Sequence, residues 1–243
     1  MQAIIALLVV CLAAASYAVP TGRIVGGTDA PEGLYPYQVS LKQSGSLFCG
    51  GSILNKRYIL TAAHCVVGKY PQYVEVHAGT VYLNKQGDVY PAEKLIAHPN
   101  FSSSKLINDV ALIRVSKDIE FNEFVQPIQL ASNNNVKAGD VAILTGWGRL
   151  GRFDQIPNHL QQINLRIESQ QNCAAKHWRV TDSHICTFTR YGEGACNGDS
   201  GGPLVANGVQ VGIVSFGTPC AVGSPDVYTR VYYFLDWIKE NQE

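Results

Sequence analysis

Gly198-Asp199-Ser200-Gly201-Gly202-Pro203 crowds one serine among residues that lack a side chain or restrict the backbone. Such a loop is costly unless geometry matters. Glycine permits positive φ and close backbone approach, so the loop can present Ser200 at its tip and aim consecutive N–H groups at one point. A substrate oxygen that becomes negative during a reaction would be stabilised there. A plain surface turn is the competing reading of the hexapeptide, and partner residues elsewhere decide between them. A serine hydroxyl is a weak nucleophile near neutral pH, so it needs a base to take its proton and a third group to orient that base. Of six histidines, His64 stands out, because Leu60-Thr61-Ala62-Ala63-His64-Cys65 runs from a strand into small residues and ends beside a cysteine that can pin the imidazole. The third group should be an acid among apolar residues, and Asn108-Asp109-Val110-Ala111-Leu112-Ile113 offers Asp109 at the mouth of a buried strand. Buried carboxylates rarely occur without a partner.

Outward from these segments, the 243-residue chain is nearly half apolar and long enough for one large or two medium domains. Lysine plus arginine balance aspartate plus glutamate at 19 each, so no net field draws nucleic acid or an anionic membrane, and neither partner is expected. Short alternating or β-branched runs at 37–41, 52–62, 74–78, 110–115, 141–145 and 209–215 predict strands. Helical spacing is read only in the tail, about 233–241, where Phe234, Leu235, Trp237 and Ile238 make one apolar face. Many strands and few helices imply antiparallel sheets closed into barrels or a sandwich, with a break at Ser132-Asn133-Asn134-Asn135.

Residues 1–18 read as a signal peptide, with an apolar stretch from Ala3 to Ala15 and small residues ending Ser16-Tyr17-Ala18, too short for a comfortable membrane span. Removing that segment takes Cys11 with it and leaves Cys49, Cys65, Cys173, Cys186, Cys196 and Cys220, an even set suited to an oxidising compartment. No Cys-x-x-Cys pair occurs, so disulfides are expected rather than zinc, with connectivity left open by the sequence.

Thr61-Ala62-Ala63-His64-Cys65, Asn108-Asp109-Val110-Ala111-Leu112 and Gly198-Asp199-Ser200-Gly201-Gly202-Pro203 occur in the order found in the trypsin and chymotrypsin family. The chain resembles that family from Ile24 nearly to its carboxyl end, through Gly146-Trp147-Gly148 and Ser215-Phe216-Gly217, and looks most like insect digestive chymotrypsins. The resemblance implies an all-β fold of two antiparallel Greek-key β-barrels with a C-terminal helix, and an active site in the crevice between barrels spanning 24–130 and 131–243. It implies a catalytic triad of His64, Asp109 and Ser200, an oxyanion hole from the amides of Gly198 and Ser200, and disulfides Cys49–Cys65, Cys173–Cys186 and Cys196–Cys220. Arg23-Ile24-Val25-Gly26-Gly27 resembles the family's activation site, with residues 19–23 as propeptide. Cleavage after Arg23 would create an ammonium on Ile24 for which Asp199 is the counter-ion. Protein or peptide substrates, a trypsin-like activating protease and protein protease inhibitors are the implied partners of a secreted monomer, with the gut lumen as its place. No cofactor or metal is expected, since Gly79-Thr80-Val81-Tyr82-Leu83-Asn84-Lys85 carries no carboxylate where vertebrate trypsins bind calcium.

The family also places a specificity pocket among Gly194, Ala195, Ser215, Phe216, Gly217 and Asp226. Trypsins carry an aspartate six residues before the nucleophile, but here that residue is Gly194, and Gly217 leaves the entrance open. Phenylalanine, tyrosine or leucine on the acyl side of the cut is therefore expected. Asp226, where the family commonly has glycine, supplies the alternative of trypsin-like or broad, collagenolytic-type cleavage. A noncatalytic homologue acting as a binding protein is the reading from another class, and it would require a lost triad residue. Asn100-Phe101-Ser102 is an N-glycosylation acceptor.

Overall fold

The computed structural model describes residues 24–242. Residues 1–18, expected as a signal peptide, and 19–23, expected as a propeptide, lie outside the described residues, and Cys11 and Arg23 with them. A short strand β1 (Thr28–Asp29) precedes the first barrel, whose strands are β2 (Gln38–Gln43), β3 (Ser46–Ile53), β4 (Tyr58–Thr61), β5 (Glu75–Ala78), β6 (Asp88–Ala97) and β7 (Ala111–Val115). They close in the order β2-β3-β4-β7-β6-β5, all antiparallel. Closure removes sheet edges and turns one face of every strand inward. Val39, Leu41, Ile53, Ile59, Leu60, Leu112 and Ile113 are all buried in the core cluster of this half.

The second barrel is built from β8 (Val141–Gly146), β9 (Gln161–Glu168), β10 (His184–Thr187), β11 (Pro203–Ala206), β12 (Val209–Gly217) and β13 (Asp226–Arg230). It closes through a β8–β9 pairing, and β1 adds to β9. Ala142, Leu144, Leu165, Ile185, Leu204, Val211 and Tyr228 make up much of its core. The asparagine-rich break falls in the strandless stretch 116–140 between the barrels.

The two ends of the described stretch are exchanged between the barrels. Ile24 is fully buried in the core of the second barrel, while Val231, Phe234 and Ile238, near and within α3 (Leu235–Glu240), pack into the core of the first. Buried polar contacts also join the halves: Ser52 Oγ donates to Gln210 Oε1 at 2.6 Å, and Thr145 Oγ1 donates to Gln38 Oε1 at 2.6 Å.

Three expectations about elements are corrected. The run 52–62 is two strands, because Asn55 Oδ1 accepts the amides of Arg57 and Tyr58 and turns the chain between β3 and β4. The tail is not the only helical segment: besides the single turn α1 (Ala63–Val66), α2 (Gln170–Lys176) forms with Ser169 Oγ capping the amide of Asn172. The tail helix is also shorter than 233–241, since residues Val231–Phe234 form a 3₁₀ turn before α3. Among the described residues no helix is long and apolar enough to cross a membrane.

Candidate active site

His64 sits on α1, whose next residue, Cys65, is tied by a disulfide to Cys49 on β3. Asp109 ends the loop before β7 and is wholly buried. Its carboxylate accepts the amide of His64 at 2.8 Å on Oδ1 and lies 2.7 Å from His64 Nδ1 on Oδ2. A carboxylate only accepts, so Nδ1 carries the proton and the lone pair of the neutral ring is on Nε2. Ser215 Oγ donates to the same Oδ2 at 2.5 Å, and Thr229 Oγ1 donates to the Asp109 carbonyl at 2.8 Å. An acid of the first barrel is thus held by two hydroxyls of the second. Ser215 lies at a register shift between Val214 and Phe216, and a bulge of this kind re-aims a side chain out of the ladder.

The loop of Ser200 is pressed onto the first barrel. Gly50 on β3 donates its amide to the Ser200 carbonyl at 2.8 Å. A Cβ on Gly201 would collide with Thr61 Oγ1 and fall 3.1 Å from Cys65 Sγ, so Ser200 is seated beside the turn that carries His64. The amides of Asp199, Gly201 and Gly202 donate to the carbonyls of Cys196, Val214 and Asp199. Among the described residues those of Gly198 and Ser200 have no acceptor, which leaves two donors for an incoming oxygen. Gly198, at φ 108°, has the backbone this requires.

Asp199 points away from this opening. Its buried carboxylate accepts the amides of Gly148 at 2.7 Å and Cys196 at 2.9 Å. Burial pushes it up to about 6, against the pull of those two amides. Gly146 and Gly148 are required here, because a Cβ on either would collide with that carboxylate.

A cavity of ≈ 220 Å³ opens beside Ser200, lined by Ala195, Val214, Ser215, Phe216, Gly217 and Asp226 among others. Asp226 is buried, and its Oδ2 accepts the amide of Ala195 at 2.7 Å. Burial pushes its carboxyl up to about 7, the amide pulls it down, and the charge of Asp199 raises it further. Gly194 does not line the cavity. It lies behind the Asp226 carboxylate, whose Oδ2 fills the volume that a Cβ on Gly194 would need. The pocket residues that sequence reasoning missed are Asn197, Val214 and Pro219, none of which carries a distinctive local signal.

The pairings Cys49–Cys65, Cys173–Cys186 and Cys196–Cys220 are present, as the family resemblance implies. His64 also groups with Cys49 and Cys65, but both sulfurs are consumed by their disulfide and neither can supply a thiolate to a metal.

The match to the Trypsin family spans residues 24–238. The chain belongs to the trypsin family. It is 65% identical to Chymotrypsin-2 of Vespa crabro over 90% of this chain and 100% of that protein. It is 42% identical to Trypsin II-P29 of Gallus gallus over 96% of each chain, and 39% identical to Trypsin delta of Drosophila erecta over 90% of this chain and 88% of that one. With two six-stranded barrels and this degree of likeness to an insect chymotrypsin, the chain is a chymotrypsin-like serine endopeptidase, and its substrates are proteins. Three disulfides suit a trypsin-family protein exposed to an oxidising, extracellular setting.

Gly201 tests the seating of the loop. Gly201→Ala adds a Cβ where Thr61 Oγ1 and the Gly50 carbonyl leave no room, at a φ of 76° that alanine rarely adopts. The expected result is a loss on the order of 100-fold in kcat, as for an ångström-scale misplacement of a reacting group. Steady-state rates of the variant, corrected for its folded fraction, provide the measurement.

Proposed function

We propose that the protein hydrolyses peptide bonds through an acyl-enzyme formed on Ser200. Ser200 Oγ attacks the peptide carbonyl, His64 Nε2 accepts its proton and returns it to the departing amine, and Asp109 holds the imidazole and stabilises its charged form. The amides of Gly198 and Ser200 receive the oxygen as it becomes negative, a contribution of about 3 kcal/mol for one such donor. The observation that carries this reading is the 2.7 Å contact of His64 Nδ1 with a buried Asp109, which leaves the lone pair on Nε2, 3.7 Å from Cys65 Sγ, on the turn against which the loop of Ser200, with its two unengaged amides, is seated. Ser200→Ala is expected to lower kcat on the order of a millionfold with the fold intact. Undiminished peptide hydrolysis by that variant overturns the assignment.

Activation is proposed to follow cleavage after Arg23. The new ammonium of Ile24 then pairs with Asp199 and draws the loop of Gly198 into order. In support, Ile24 is already seated in the core of the second barrel, and the fully buried Asp199 carboxylate has two amide donors but is drawn up to about 6, as a charge awaiting a cation would be.

On the acyl side of the cut, phenylalanine, tyrosine and leucine are the proposed preference, because Ala195, Val214 and Phe216 give the cavity apolar walls and Gly217 keeps its entrance open. The second reading, cleavage after lysine or arginine or broad specificity, rests on the Asp226 carboxylate in that lining. The sign of its pH dependence is fixed by burial: Asp226 is largely neutral below about 7 and charged above, so any arginine or lysine component should grow with pH. After trypsin treatment, amides of phenylalanine, leucine, arginine and lysine should be cleaved in favour of the first two at both about pH 6 and about pH 8, with the basic share larger at the higher pH. A dominant basic preference overturns the chymotrypsin-like specificity. Equal rates from the untreated chain overturn the activation step.

Secretion to the gut lumen, a digestive role, a trypsin-like activator, protein inhibitors and a monomeric state complete the proposal, resting on family likeness. Asn100 is exposed and is proposed to carry a glycan; a mass decrease on glycosidase treatment of the secreted protein is expected, and no change removes the site.

A further inference from the structure

His184 opens β10 and is buried, yet it takes no part in the chemistry proposed above. Both of its ring nitrogens are engaged. Nε2 lies 3.1 Å from the carbonyl oxygen of Leu106, and since a carbonyl can only accept, Nε2 carries the proton. Nδ1 accepts the amide of Thr181 at 3.1 Å, with Thr181 Oγ1 also 3.1 Å away. Only the neutral ring satisfies this pattern, because a proton on Nδ1 would confront the Thr181 N–H. Burial acts in the same direction and holds the imidazole below its usual range, with the backbone contacts opposing. Two charges bear on the ring: Asp109, from the loop before β7, favours its protonation, and Arg230, at the end of β13, disfavours it. Arg230 also donates to the His184 carbonyl and to that of Asp182.

What His184 grips is the loop that delivers Asp109. Leu106 has a φ of 53°, a left-handed conformation that leucine keeps only where surrounding contacts enforce it, and Asn108, at 54°, is of a type that tolerates it. Inside the loop, Leu106 donates its amide to the Ser102 carbonyl at 2.7 Å and Asn108 Nδ2 donates to the Asn100 carbonyl at 2.8 Å. The bond from His184 ties this loop of the first barrel to the second barrel. The ring also meets the edge of Phe216 at 5.5 Å and 83°. Phe216 lines the substrate cavity, and its neighbour Ser215 holds the Asp109 carboxylate. His177 approaches the same Phe216 ring at 6.0 Å.

We propose that neutral His184 is a positioning residue for the reaction, holding the Asp109 loop through the Leu106 carbonyl and Phe216 through its ring. The proposal rests on the reading of Asp109 as the group that orients His64. Protonation of His184 at Nδ1 would break its contact with the Thr181 amide and unseat the ring, so the loop loses its anchor although the Nε2–H donor itself survives. Because burial makes the native ring bind its proton less readily than the unfolded chain does, the seating of the neutral ring loses stability progressively as pH falls below about 6.5.

The test compares kcat and KM on a phenylalanine amide, across pH, for the activated protein and for His184→Phe, His184→Gln and Asp109→Asn. His184→Phe keeps a ring against Phe216 but cannot donate to Leu106, and a fall of about tenfold in kcat is expected, with KM changed less. His184→Gln retains a donor and should recover most of that loss. In the parent protein the acid limb of kcat should be steeper than one proton allows, and in His184→Gln it should relax to a single proton. If His184→Phe fails to fold, the acid limb of His184→Gln decides. Unchanged kcat per folded molecule in His184→Phe, no recovery in His184→Gln, or an unaltered acid limb in His184→Gln would overturn the proposal. Full turnover by Asp109→Asn would instead overturn the reading of Asp109 on which it rests, whereas a parental His184→Phe beside an impaired Asp109→Asn removes the role of His184 alone.

Discussion

A carboxylate taken wholly out of water is tolerated only with hydrogen-bond donors around it, and Asp109 finds those donors on both barrels. His64 supplies an amide and a ring N–H from the first barrel, and Ser215 supplies a hydroxyl from the second. Docking of the barrels and orientation of the imidazole are therefore one event. If the halves separated, Asp109 would lose the Ser215 hydroxyl, and the Asp109 carbonyl would lose Thr229. Gly50 would lose the Ser200 carbonyl in the same movement. Each of these bonds is modest alone, about 1 kcal/mol or somewhat more where a charge is involved, but all demand the same relative placement of the two halves.

The exchange of chain ends reinforces that placement. Ile24 fills space in the second barrel and Phe234 and Ile238 fill space in the first, so the amino-terminal and carboxyl-terminal segments each bridge to the opposite half. The segment after Ile24 also reaches the stretch that leads into the cavity-lining Ala195, because Val25 pairs with Gly194 and a Cβ on Gly26 would strike the Gly192 carbonyl region. From Ile24 and Val25 to the loop of Gly198 and Ser200 the path is thus short, which suits the proposed activation step.

The groups proposed to do chemistry stand out in the sequence because each sits in a short motif whose composition makes sense only geometrically. The glycines around Ser200 turn out to be enforced: a Cβ at 201 meets Thr61, and one at 202 would fall 2.9 Å from the Asp199 carbonyl. The supporting groups were not legible in this way. Ser215, Thr229 and His184 are ordinary residues of strands, and they gain their roles from contacts 106, 120 and 78 positions away in the chain. Among elements, β6 escaped the reading because Glu93 and Lys94 interrupt its alternation and Pro91 sits within it. By contrast, β9 carries a clean alternation, with Ile163, Leu165 and Ile167 buried, and α2 announces itself through Ser169. Those two signals were present in the sequence and were outweighed by the stronger β-branched runs.

The pair Gly194 and Asp226 illustrates a constraint that neither residue shows alone. The absence of a side chain at 194 looks, in the sequence, like a missing feature of the pocket floor. In the structure it is the space into which Asp226 folds its carboxylate, with one oxygen fixed by the Ala195 amide. An aspartate at 194 and an aspartate at 226 would compete for one volume, and two buried like charges so close would not both ionise. The pocket floor therefore contains one carboxyl group, entering from β13 rather than from the segment leading to Ser200. Held by an amide and raised to about 7, that group is neutral in mildly acidic surroundings and behaves there as a small polar floor beneath apolar walls. The apolar walls and the pH-dependent charge of Asp226 are therefore the two features on which the proposed preference turns.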